Sequence, residues 1–136
     1  MTQTVAASDV SQKGLRVFLV EDSAVIRERL EEMVVSISGA HSVGCAVDAG
    51  QAIREILATL PDAVVLDISL EQGSGFDVLR AVHDAAPNIA IYMLSNYATP
   101  PYRRMAERLG ATEFFDKSAD LGRVREALAK QAKTLN

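Results

Sequence analysis

Short apolar runs alternate with helix-length stretches five times along this chain, and that alternation restricts the fold more than any other property of the sequence. The runs are LRVFLV (15–20), HSVGCAV (41–47), DAVVLDI (62–68), NIAIYML (88–94) and TEFFD (112–116). Most are rich in β-branched or aromatic residues, which suit strands. Between the first two, residues 23–37 carry Val25, Ile26, Leu30, Met33, Val34 and Ile37 at helical spacing. Ser23 is placed to cap that helix and Gly39 to stop it. Further helical stretches are expected at 49–60, closed by Pro61, and at 75–86, closed by Pro87. The next runs from Pro101, where a missing N–H costs little, to Leu109, with Gly110 after it. The last covers 119–134, with Leu121, Val124, Leu128 and Ala132 on one face. This period predicts an α/β fold, a doubly wound five-stranded parallel sheet with helices on both faces. The middle runs are continuously apolar, as strands buried on both sides require.

A chain of 136 residues suits one domain. Residues 1–13 (MTQTVAASDVSQK) are small, polar and aperiodic and predict a flexible lead; residues 14–136 form the expected domain. No apolar run approaches the roughly 20 residues of a membrane span, and the first residues lack the apolar core of a secretion signal. A cytoplasmic protein without membrane contact is therefore expected. Cys45, the one cysteine, has no internal disulfide partner and is expected to be a small buried hydrophobe. The net charge of −4 argues against nonspecific nucleic-acid binding. It is unevenly spread: residues 1–99 hold six basic and thirteen acidic side chains, residues 100–136 eight basic and five acidic. The basic part is either an ordinary solvated surface or a partner-binding face.

In a parallel sheet the C-terminal strand ends share one edge, and ligands bind in the crevice there. Glu21-Asp22 closes the first run, Asp67 the third, Ser95 the fourth and Lys117 the fifth. Alone, Asp67 reads as a strand-end residue or helix cap. With strands one and three adjacent, in the flavodoxin-like order 2-1-3-4-5, three carboxylates converge. Such a cluster has raised carboxylate pKa values unless a cation balances it. Hard oxygen ligands of this kind suit Mg²⁺. Gly73-Ser74-Gly75 lacks a phosphate-loop signature and is assigned to turn geometry, with Gly75 allowing a tight entry into helix three.

These residue types, in this order, resemble the response-regulator receiver domain, the phosphoacceptor half of two-component signalling, from about Leu15 to the end of the last helix. The resemblance implies that Asp67 is the phosphoacceptor nucleophile. It implies that Asp22 and Asp67 ligate Mg²⁺ directly, with the Ser69 backbone carbonyl as a third ligand and Glu21 acting through water. Lys117 would pair with a phosphoryl oxygen, and Ser95 would donate its hydroxyl to the phosphate. Phe114, three residues before Lys117, would be the switch aromatic that turns inward. The implied partners are a sensor histidine kinase or phosphotransfer protein upstream and a protein target downstream. The target face would be helix four, strand five and helix five, including Arg103, Arg104, Arg108, Glu113, Arg123 and Arg125, which could serve a homodimer or an acidic partner. No segment built to read DNA follows the last helix, so a single-domain regulator without direct DNA binding is expected.

Several positions depart from the family pattern. Glu71 and Ser118 stand where many receivers carry proline, and a cis Lys117–Ser118 bond would cost roughly 3 kcal/mol. The switch position is Phe, without the hydroxyl of the commoner Tyr. Ser69 and Tyr97 flank the site, and neither orients water well. Tyr97 is expected to cover the phosphoryl group partly and slow its hydrolysis. Two rival readings stand beside this one. A Mg²⁺-dependent aspartyl-phosphate phosphatase of the haloacid-dehalogenase type needs a second acid where this chain has Ser69. A degenerate receiver acting only as an interaction module would not need the full acidic set with Lys117.

Overall fold

Five parallel strands form one sheet in the order β2-β1-β3-β4-β5. They are β1 (Leu15–Val20), β2 (Ala40–Ala46), β3 (Ala63–Asp67), β4 (Ala90–Ser95) and β5 (Glu113–Asp116). The connecting helices are α1 (Ala24–Val35), α2 (Ala49–Thr59), α3 (Gly75–Ala85), α4 (Pro100–Leu109) and α5 (Leu121–Leu135). The computed structural model describes residues 14–135; the lead expected at 1–13 lies outside the described residues.

Strand alternation divides the core in two. Phe18, Val20, Val64, Leu66, Ile91 and Met93 pack under α2, α3 and α4. Val17, Leu19, Val65, Tyr92, Leu94 and Phe115 pack under α1 and α5. All five residues of β3 are buried, which explains its uninterrupted apolar sequence up to Asp67. Ser23 caps α1 as expected, its hydroxyl accepting the Ile26 N–H at 3.3 Å. Gly110 ends α4 at φ 105°, a conformation that favours glycine.

Three expectations need correction. Cys45 is exposed, not buried. β2 is an edge strand, and its register with β1 shifts between Val17 and Phe18. An extra residue there turns Gly44 and Ala46 toward the α2 side and leaves Cys45 on the other face at the sheet edge. Val25 is 65% exposed: it lies about 100° round the helix from Ile26, and it is Ile26 that packs against the core. Helix α1 ends at Val35 with Ser36 as its C-cap, so Gly39 belongs to the following turn rather than the helix stop.

Tyr92 ties the sheet to α5. Its hydroxyl donates to Gln131 Oε1 at 2.7 Å, and Gln131 Nε2 donates to the Asp62 carbonyl at 3.1 Å. Burial, with a smaller contribution from the Glu113 charge, pushes the phenol up to about 12. The folded value lies above the unfolded one, so the stability it contributes is complete below pH 10 and is lost as pH rises through about 12. Alkaline spectrophotometric titration should show one tyrosine ionising near 12, and Tyr92→Phe should remove that step.

Candidate functional site

The polar strand ends meet at one edge of the sheet. Val20 pairs with Leu66, so the same register carried one residue further sets Glu21 beside Asp67. On the other side Ser95 pairs with Asp116, and the Lys117 N–H donates to the Ser95 carbonyl at 2.8 Å. Glu21 continues the parity of Val17 and Leu19, and Asp67 that of Val65, the residues that face α1 and α5, so both carboxylates start on the same side of the sheet. Glu21 is fully buried, Asp67 is 3% exposed and Ser95 2% exposed.

Lys117 spans the two buried acids. Its Nζ lies 3.0 Å from Asp67 Oδ2 and 3.0 Å from a Glu21 carboxylate oxygen. The peptide before Ser118 is not cis; among the described residues no peptide bond is. Glu21 Oε2 also accepts the Ser23 N–H at 3.0 Å, and Arg27 Nη1 donates to the Glu21 carbonyl at 2.9 Å. Burial holds the Glu21 and Asp67 carboxyls above their ordinary values, although Lys117 pulls both down. For Lys117 burial acts the other way, but the two carboxylates outweigh it and the ammonium titrates above its ordinary value. The site is therefore short of positive charge: one cation serves two buried acids and the adjacent Asp22.

Carboxylate oxygens of Glu21, Asp22 and Asp67 lie within 4.8 Å of one another. Glu21 Oε1 is buried 3.0 Å from the Lys117 ammonium and has no other polar partner. Three carboxylates this close together, with a single ammonium between two of them, fit a hard divalent cation. The Ser69 N–H donates to Asp67 Oδ1 at 3.4 Å, which puts the Ser69 backbone next to the cluster. Ser95 Oγ accepts the Tyr97 N–H at 2.9 Å, while the Tyr97 ring is 64% exposed. That ring would have to move to cover a group on Asp67.

Phe114 is half-buried and packs against the α2–α4 side of the core. Arg103 of α4 lies over its ring, 5.0 Å from the centroid. Arg125, expected on the face of α4, β5 and α5, instead turns to α1, where Nε donates to Ser36 Oγ and Nη2 to the Ser36 carbonyl. It caps the C-terminal end of α1, so it belongs to the opposite side of α5. Sequence reasoning also passed over Ser74. Its hydroxyl accepts the Phe76 N–H at 3.0 Å, and Asp77 accepts the Ser74 N–H at 3.2 Å, a reciprocal cap that fixes the start of α3 beside Asp67. The Ser-x-x-Asp spacing carried that signal between two conspicuous glycines.

The sequence profile of the response regulator receiver domain matches residues 17–129. The chain is 29% identical over 120 residues to the chemotaxis protein CheY of Thermotoga maritima, covering 88% of this chain and 99% of that protein. It is 31% identical over 126 residues to protein-glutamate methylesterase/protein-glutamine glutaminase 3 of Geobacter sulfurreducens, covering 89% of this chain but 34% of the relative. The chain thus spans about a third of the length of the methylesterase relatives it matches. Among solved structures, the response regulator domain of Thermotoga maritima CheB aligns with a TM-score of 0.77 at 26% identity, covering 90% and 96% of the two chains. A LuxR-family response regulator from Aurantimonas sp. SI85-9A1 aligns at 0.82 and 26% identity, covering 89% and 86%. Profile, relatives and sheet order agree, and the chain belongs to the response-regulator receiver-domain family.

Proposed function

We propose that Asp67 accepts a phosphoryl group from a histidine kinase or phosphotransfer protein and that the chain relays this as a change on the face of α4, β5 and α5. The observation that carries the reading is the ammonium of Lys117 held 3.0 Å from both Asp67 and Glu21, inside a cluster of three carboxylates. Taking such charges out of water costs several kcal/mol per ion, so the arrangement is a poor device for stability alone.

In the transfer, one Asp67 carboxylate oxygen attacks phosphorus, a P–O bond forms and the donor's P–N bond to histidine breaks. Asp22 and Asp67 would hold Mg²⁺ directly, with the Ser69 carbonyl as a third ligand and Glu21 through water. That ion supplies positive charge to the phosphoryl oxygens. Lys117 exchanges its bond to Asp67 for one to a phosphoryl oxygen and keeps its proton throughout. Ser95 donates its hydroxyl to the phosphoryl group, and Phe114 reports the change to the target face. The likeness to CheY along 99% of that protein is in keeping with a receiver that acts through protein contact, as monomer or homodimer. No described helix is long and apolar enough to cross a membrane, in keeping with a cytoplasmic site of action.

Incubation with acetyl phosphate and Mg²⁺ tests the reading. The expected product carries one hydroxylamine-labile phosphoryl group. Asp67→Asn should lower incorporation at least about a hundredfold, the loss of roughly 3 kcal/mol of transition-state stabilisation. Steady release of phosphate over many turnovers would favour a phosphatase instead. No labelling at all would leave an interaction module.

A further inference from the structure

We propose that Arg103 is a positioning residue that holds the loop after Ser95 and the Phe114 ring in the arrangement belonging to the free carboxylate of Asp67. The inference rests on Asp67 being the phosphoacceptor and concerns how that site is coupled to the surface.

The coupling begins at Ser95. Its Oγ accepts the Tyr97 N–H at 2.9 Å, so a shift of that hydroxyl drags the 96–98 backbone with it. The next residue, Ala98, offers its carbonyl to Arg103 Nε at 3.4 Å. The same guanidinium donates through Nη1 to the Phe114 carbonyl at 3.3 Å and lies 5.0 Å above the Phe114 ring. One side chain thus grips the loop that Ser95 would pull and the aromatic residue that would respond. The grip depends on the planar fork of arginine, which bonds two carbonyls while its face covers a ring. A lysine has a single charged point to offer.

The arrangement is tied to the carboxylate form because Lys117 bonds Asp67 Oδ2 directly at 3.0 Å. A phosphoryl group on Asp67 replaces that contact and brings new oxygens within reach of Ser95. Moving Ser95 then strains the Ala98–Arg103 bond or breaks it. Phe114 is only half-buried, and with Arg103 and Glu113 it lines two surface hollows of about 340 and 270 Å³. Because coupling between sites is reciprocal, weakening the grip must favour the phosphorylated form.

The test uses the full chain with Mg²⁺ and beryllofluoride, a tetrahedral mimic of the phosphoryl group, with calorimetry for affinity and NMR for the Phe114 ring. Arg103→Gln should bind beryllofluoride about fivefold more tightly, in line with a cation–π contact and two exposed hydrogen bonds lost from the competing form. Its Phe114 resonances should shift toward their ligand-bound positions before any ligand is added. Arg103→Lys should show a smaller effect. Arg54→Gln, which removes an exposed positive charge on α2 away from that face, should match the wild type. In Phe114→Leu, where the ring face is gone, Arg103→Gln should have less than half its effect. Arg103 is exposed, so urea denaturation should show each Arg103 variant folded. Unchanged or weaker binding in folded Arg103→Gln overturns the proposal while Asp67 remains the acceptor. If the wild type and Asp67→Asn both fail to bind beryllofluoride, the reading of Asp67 falls and this inference falls with it.

Discussion

Lys117→Met is expected to lower the unfolding free energy by about 3–5 kcal/mol at pH 7 in metal-free buffer, the usual consequence of removing one partner from a buried ion pair. Methionine nearly matches the lysine stem in volume, so packing loss is a small part of this. The loss is electrostatic: Glu21 is fully buried and Asp67 3% exposed, and Lys117 is the ammonium within 3.0 Å of both. Mg²⁺ should restore much of it, because a ligand that binds only the folded state at a hundredfold above its dissociation constant adds about 2.7 kcal/mol. The variant should therefore gain more from Mg²⁺ than the wild type does.

Acid should rescue the variant as well. Burial already raises the Glu21 and Asp67 carboxyls from ordinary values of 4.5 and 3.8, and Lys117 is what pulls them back. Without it both rise further. A carboxyl whose folded value lies above its unfolded value favours the fold below the unfolded value and loses that contribution as pH rises through the folded one. The gap between wild type and variant should narrow as pH falls from 7 toward 5. In the wild type Lys117 itself is raised above 10.5, so its contribution is complete below that pH and fades above it. Urea denaturation across this range, with and without Mg²⁺, measures all of these. A difference under about 1 kcal/mol at pH 7 without metal would mean that Lys117 is only a surface charge.

The acidic cluster and Lys117 could be read from sequence for a geometric reason. A parallel sheet sends every strand's C-terminal end to one edge, so residues far apart in the chain converge wherever strand ends are recognisable. Runs such as AVVL before Asp67 make those ends easy to find. Properties that depend on a single residue's orientation were harder. One extra residue in β2 left Cys45 exposed where burial was expected. For Arg125, the open carbonyls at the end of α1 decided which way it turned. The Arg103–Phe114 stack joins residues on different elements and has no local signature, because it exists only once α4 lies against β5. Ser74 was different: its capping pattern was present in the sequence and was overshadowed by Gly73 and Gly75.

Gly75→Ala should destabilise the fold by about 3 kcal/mol, at the upper end for overpacking. The sign runs against intuition, since alanine is better than glycine by about 1 kcal/mol within a helix. Here an added Cβ would lie 2.3 Å from the Asp67 carbonyl oxygen and 2.8 Å from Ile68 Cα. Both neighbours are backbone, so no flexible side chain can yield. The turn has little freedom to open, because the Gly75 N–H donates to the Ile68 carbonyl at 2.8 Å and Ser69 bridges to Ser74. Relief must come from moving the start of α3 or the end of β3, and the end of β3 carries Asp67. A displacement of about 1 Å at a reacting group can cost on the order of a hundredfold in rate, so acetyl phosphate labelling should fall together with stability. Gly122→Ala in α5 is the internal control: nothing lies within 4 Å of its added Cβ, and it should stabilise by roughly 0.5–1 kcal/mol with labelling unchanged. Thermal melting of the two variants separates helix propensity from close approach. Equal melting temperatures would mean that α3 does not press on the end of β3 and that Gly75 has no part in setting where Asp67 stands.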